Sequence, residues 1–174
     1  YAARAELGGG VVLTQIHDYD LAWWLFGAPR RVRATGGHLS ELEIDVEDTV
    51  DASLENDSVT VRVTQTMAAR PPRRSIAVEG ERGRATLDLV AGRLDVEVRP
   101  PLAPLAPIED YERNRMFVDE AAHFLDCLEG RMAPGGSIEG RTAPAAPLSE
   151  GIGVLRVALA VRESLRTGLT VELP

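Results

Sequence analysis

No lysine occurs anywhere in the 174 residues, and all 19 basic positions are arginine. Schiff-base chemistry, or acid–base work by a lysine amine of this chain, is therefore excluded. There is one cysteine, Cys127, so no disulfide can close within the chain, and the expected setting is reducing and cytoplasmic. No apolar stretch approaches the roughly 20 residues that a membrane span requires, and no secretory leader is recognisable. Basic residues do not cluster with aromatics and the formal net charge is −8, which argues against nucleic acid as a partner. Also missing are a G-x-x-x-x-G-K phosphate cradle and any G-x-G-x-x-G in a strand–turn–helix setting.

What is present describes a globular protein: 44% hydrophobic and 26% charged residues. The length suits a single domain over 1–174, able to bury about two-thirds of its unfolded surface. The opening "YAARAEL" lacks an initiator methionine and reads as the interior of something longer. The expectation is a fragment cut at its N-terminal side.

The periodicity predicts a helix over 11–26, where Val12, Ile16, Tyr19, Trp23 and Phe26 form an apolar stripe before Gly27 and Pro29. From Arg31 to Arg99 the period changes to two. Val50, Ala52 and Leu54, then Val59, Val61, Val63, Gln65 and Met67, share one face; Asp51, Ser53, Thr60, Arg62, Thr64 and Thr66 share the other. Turn residues at Asn56-Asp57-Ser58, Gly80 to Gly83 and Ala91-Gly92 break this stretch into an antiparallel meander. A connector with Pro100, Pro101, Pro104 and Pro107 follows, then a helix from about Asp110 to Glu129 burying Phe117, Ala121, Phe124, Leu125 and Leu128. Residues 130–147 read as a flexible loop. Ser149 is expected to cap a last helix ending at Gly168, before a strand over 169–173. The order does not alternate as βαβ units would. It predicts an α+β fold, an open and mainly antiparallel β-sheet with helices packed on one face. The opposite face, with Thr60, Thr64, Thr66, Ser53 and Ser75, is either solvated or suited to meeting a second copy.

The stretch "ELGGGVVLTQIHDYDLAWWLFG" is the most suggestive for chemistry. Glycines before a helix are a plain loop or a place where a ligand comes close to backbone. His17 is an ordinary packed histidine or a proton-exchanging group, oriented by Asp20 three residues on. Asp18 points elsewhere on a helix, so a metal site from His17, Asp18 and Asp20 is not expected. His123 pairs adequately with Asp119, and Cys127 reads as a buried, inert thiol. The acidic run Glu41, Glu43, Asp45, Glu47 and Asp48 reads as a solvated loop. Arg113 and Arg115 either bind a carboxylate or phosphate or pair with Asp110 and Glu112, and the ion pairs are the preferred expectation.

That stretch resembles the G-G-G…H-(D/E)-x-D segment of the Gfo/Idh/MocA oxidoreductases, the glucose–fructose oxidoreductase and inositol dehydrogenase relatives. The resemblance continues through "EIDVEDTVDASLEN", "IAVEGERGRATLDL", "FVDEAAHFLDCLEG" and "PLSEGIGVLRVALAVRESLRTGLTVEL". It implies the C-terminal domain of a dehydrogenase whose NAD- or NADP-binding Rossmann domain, with its catalytic lysine, lies outside this chain. On this resemblance no cofactor binds the chain alone, and the chain alone is inactive. His17 matches the histidine that exchanges a proton with a substrate hydroxyl, while Thr14 stands where many members carry an aspartate. Thr14, Asp20, Gly9 and Gly10 are then expected to contact a sugar-like or polyol substrate, and the sheet face to form a homo-oligomer. The competing expectation is a non-catalytic ligand-binding or dimerisation module on the same scaffold.

Overall fold

The computed structural model describes residues 1–101, 112–129 and 146–174, the side chain of Arg113 excepted. A 3-10 turn at Ala5–Leu7 precedes α1 (Val11–Thr14), α2 (His17–Phe26), β1 (Arg31–Gly37), β2 (Thr49–Glu55), β3 (Thr60–Thr66), β4 (Ser75–Gly80), β5 (Gly83–Asp88), β6 (Arg93–Val98), α3 (Arg113–Leu128), α4 (Leu148–Thr167) and β7 (Val171–Glu172). These fall into two compact units: Tyr1–Ala68 with Ala145–Pro174, and Ala69–Pro144.

The first unit carries an open antiparallel sheet in the order β3-β2-β1-β7. The register sets Val32 opposite Leu54, and Ala52 between Ala34 and Val63. The period-two pattern therefore delivers one continuous apolar face. Helix α4 lays Val154, Val157, Ala158 and Val161 on it, the spacing of a single helical face. Val11, Val12, Tyr19 and Ala22 from α1 and α2 complete the core. Each fully buried aliphatic side chain contributes roughly 1.5–3 kcal/mol relative to exposure, so this face holds most of the unit's stability.

Three local devices fix the edges. Asn56 Oδ1 accepts the amides of Ser58 and Val59 in the β2–β3 turn, and its Nδ2 donates to the Phe26 carbonyl. One side chain thus shapes the hairpin and ties it to the end of α2. Strand β7 reaches only to Val32 on β1, and beyond it the Ser164 hydroxyl takes over. It accepts from the Ala34 amide at 2.9 Å and donates to the Leu169 carbonyl at 2.6 Å. Gly168, at φ 71°, ends α4 in the left-handed conformation that lets the chain turn into β7.

The second unit holds the sheet β4-β5-β6 and helix α3. Asp88 accepts the amides of Val90 and Ala91 and so closes the β5–β6 turn.

Several expectations need correction. The meander is two sheets rather than one, because Pro71 and Pro72 follow β3 and lack the N–H a ladder requires. Ser75 therefore belongs to a different sheet from Thr60, Thr64 and Thr66. The apolar stripe of α3 is open: Phe117, Phe124, Leu125 and Leu128 are 51–68% exposed. Helix α4 starts at Leu148 with Pro147 before it, so Ser149 lies inside the first turn. The connector over 102–111, including Asp110, and the loop over 130–145 lie outside the described residues.

Candidate functional site

The single helix predicted over 11–26 is broken. α1 ends at Thr14, Gln15 adopts φ −111° and ψ 31°, and α2 restarts at His17. The Gln15 carbonyl takes the amide of Asp18 at 3.1 Å, a tighter turn than an α-helix makes. It also accepts the side-chain amide of Gln65, from β3, at 2.9 Å.

Gln65 is 3% exposed and satisfies its polar atoms in full view of the break. Its Nε2 donates to the Gln15 carbonyl and, at 3.1 Å, to Asp18 Oδ2. Its Oε1 accepts the Tyr19 hydroxyl at 2.8 Å. Two acceptors on one side and a phenol on the other leave one way round for the amide. Tyr19 is buried, and burial, with the Asp18 and Glu47 carboxylates adding to it, pushes its phenol well above the usual tyrosine range.

His17 stands at the first position of α2, its imidazole 47% exposed, with Nε2 3.7 Å from Asp18 Oδ1. The carboxylate beside it is therefore Asp18, which the helical spacing had turned away. Asp20 is exposed one turn on; its amide donates to the Ile16 carbonyl, and its carboxylate has no hydrogen bond or ion pair among the described residues. The restart of the helix at His17 explains the exchange of partners. The Thr14 hydroxyl donates to the Gly10 carbonyl at 2.7 Å, leaving its lone pairs as acceptors.

The glycines are filled by the chain itself. A Cβ on Gly9 would lie 2.5 Å from the Ala2 carbonyl oxygen and 2.7 Å from that of Arg4. Gly10, at φ 102°, heads α1, and a Cβ there would collide with the Glu47 carboxylate. The Glu47 backbone carbonyl accepts the Val11 amide at 2.9 Å, and its side chain reaches the Val12 amide at 3.4 Å. The start of α1, where an anion is electrostatically favoured, thus carries the protein's own carboxylate.

Part of the acidic run is likewise built into the fold, while Glu41 and Glu43 are exposed. Asp45 accepts the Ala5 amide at 2.7 Å. Asp48 is completely buried and accepts the Leu39 and Ser40 amides, each at 3.1 Å, and the Ser40 hydroxyl at 2.7 Å. Burial raises the Asp48 pKa, but these bonds and one from the Thr49 hydroxyl outweigh it and hold it down to about 2. His38 Nε2 lies 2.8 Å from the Leu42 carbonyl and 3.5 Å from Asp48 Oδ2, closing the same loop. Gln65, Glu47, Asp45 and Asp48 were missed as site-shaping residues. Only Gln65 left a signal, a polar residue at the inward parity of β3.

Elsewhere, His123 meets Cys127 Sγ at 3.6 Å along α3, and Arg115 pairs with Asp119. Arg115 thus takes a partner one turn on rather than Glu112. Among the described residues no group of three His, Cys, Asp or Glu side chains is placed to hold a metal ion. No described helix is long and apolar enough to cross a membrane.

An open antiparallel sheet with its helices on the apolar face defines the class: an α+β layer. Residues 1–86 match the model of the GFO/IDH/MocA C-terminal domain. The chain is similar over 95% of its length to the WlbA dehydrogenase from Bordetella pertussis, solved in complex with NADH and UDP-GlcNAcA, at 25% identity and TM-score 0.72. It shares the fold of GenD2 from gentamicin A biosynthesis, solved with NAD (23% identity, TM-score 0.72, 99% of this chain and 51% of that one). The same holds for the UDP-N-acetylglucosamine 3-dehydrogenase GnnA from Acidithiobacillus ferrooxidans (24%, 0.65, 89% and 46%). The chain spans about half the length of these proteins, 48% in the case of WlbA. No curated protein sequence matches it.

Proposed function

We propose that the chain is the substrate-side domain of a nicotinamide-dependent oxidoreductase acting on an alcohol carbon of a sugar-like or polyol molecule, with His17 exchanging the hydroxyl proton. The observation that carries this reading is the placement of His17. It is half exposed at the head of a helix whose far side is buried, beside a carboxylate that is itself held from the core. A base fixed in that way can take a hydroxyl proton as hydride leaves the same carbon, and the carbonyl product forms without a free alkoxide. A bound nicotinamide supplies the hydride acceptor.

The family match and the WlbA complex with NADH and UDP-GlcNAcA support the substrate class and the cofactor. Among the described residues no strand–glycine turn–helix unit offers a dinucleotide cradle, so the proposal places NAD or NADP outside them. Thr14 and Asp20, within a turn of His17 on either side, are assigned to substrate hydroxyls. Gly9 and Gly10 enter as the residues that let the N-terminal turn and Glu47 close over α1, and so shape the site from beneath. The exposed face of Thr60, Thr64 and Thr66 is assigned to a second copy of the chain.

The test is NADH and NADPH binding, read by fluorescence, on this chain and on the product of its complete reading frame. Binding by the longer product alone is the expected result. Binding by neither favours a ligand-binding or dimerisation module without catalysis. One observation speaks for that second reading: Gly9, Gly10 and the Thr14 hydroxyl are all engaged within the chain.

A further inference from the structure

We infer that Gln65 is a positioning residue for His17, acting through Asp18 and through the break between α1 and α2. The inference rests on the reading of His17 given above. It concerns how His17 is held, not whether it reacts.

A buried amide is costly unless its hydrogen bonds are made, and Gln65 sits at a position of β3 where its neighbours on the same face, Val61 and Val63, are apolar. A leucine there would fill the space without that cost. What the amide does that a leucine cannot is bind three groups at once: Gln15 O, Asp18 Oδ2 and the Tyr19 hydroxyl. These three residues bracket His17 in sequence, two residues before, one after and two after. Holding the Gln15 carbonyl stabilises the break and so decides where α2 begins. Holding Asp18 Oδ2 turns its other oxygen, Oδ1, toward His17 Nε2. The Tyr19 hydroxyl fixes the amide's orientation, so that Nε2 rather than Oε1 faces Asp18. The exposed imidazole is thereby referenced to strand β3 through one buried side chain.

The test uses this chain labelled with carbon-13 and nitrogen-15 at its three histidines, His17 being assigned by loss of signal in His17→Ala. In Gln65→Leu and Gln65→Glu, the imidazole nitrogen and Cε1 resonances of His17 should shift, while those of His38 and His123 stay within experimental error. All three moving together would report a general structural change and overturn the inference, as would an unmoved His17. If neither Gln65 variant folds, Asp18→Asn, at a half-buried position, reads the same linkage from the other end. In a uniformly carbon-13- and nitrogen-15-labelled sample of that variant, the Gln65 side-chain amide and the His17 imidazole should both shift, and either one standing still overturns the inference. None of these readouts depends on turnover. A catalytic failure of His17 is therefore separable from a failure of Gln65 to position it.

Discussion

The Glu47 carboxylate fills the space that a side chain on Gly10 would need, while the same residue's backbone carbonyl holds the amide of Val11. The head of α1 is therefore clamped from two directions by one residue of the β1–β2 connection. Gly10 is required twice over, by its φ of 102° and by this close approach.

Gly10→Ala should consequently destabilise the fold by about 2–3 kcal/mol, the size of a strained left-handed residue plus a steric conflict. Chemical denaturation measures it. Adding Glu47→Ala should recover only the part due to the collision, because the backbone strain persists. Full recovery would show that the conformation at Gly10 costs nothing.

Asp48 should make stability depend on acid. Its folded pKa is depressed to about 2 by the bonds from Ser40, Leu39 and Thr49, against a higher value when unfolded. The stabilisation is thus present above the unfolded carboxylate range and is lost as pH falls from about 4 through about 2. Asp48→Asn should remove that segment of the pH–stability curve and cost about 1–3 kcal/mol near neutrality, since it replaces an acceptor with a donor facing two amides. Thermal melts across this pH range, wild type against variant, decide it.

Tyr19 should do the converse in base. Its folded pKa is raised, mainly by burial, so the stability it confers is complete below the ordinary phenol pKa and declines as pH rises beyond it. Absorbance at 295 nm should show one tyrosine that ionises only as the protein unfolds, and Tyr19→Phe should abolish that phase. The same variant leaves Gln65 Oε1 without its donor, at a cost of about 1–3 kcal/mol.

These residues also show where sequence reading succeeds and where it stops. Alternation placed Val50, Ala52, Leu54, Val63 and Gln65 on one face because a strand's period is a local property, and the Asn56 and Gly83 turns follow from local chemistry as well. The break before His17 was hidden because the stripe Val12, Ile16, Tyr19 and Trp23 stays in phase across it. What sets the break is Gln65, 50 residues from Gln15. The acidic loop was opaque for the same reason: Asp45 and Glu47 bond to groups 40 and 35 residues away. In isolation their sequence differs in nothing from a solvated run. Family resemblance drew attention to His17, yet only the fold shows that Asp18 stands beside it.

The central claim is that His17 exchanges the substrate proton. It is tested most directly by turnover of the complete reading frame's product with NAD and a sugar-nucleotide alcohol, wild type against His17→Ala, with nicotinamide affinity measured alongside. The account predicts a loss in kcat on the order of 10²–10⁴-fold, the usual worth of a positioned acid–base group, with cofactor affinity unchanged. Turnover equal to wild type in a folded His17→Ala protein would contradict it.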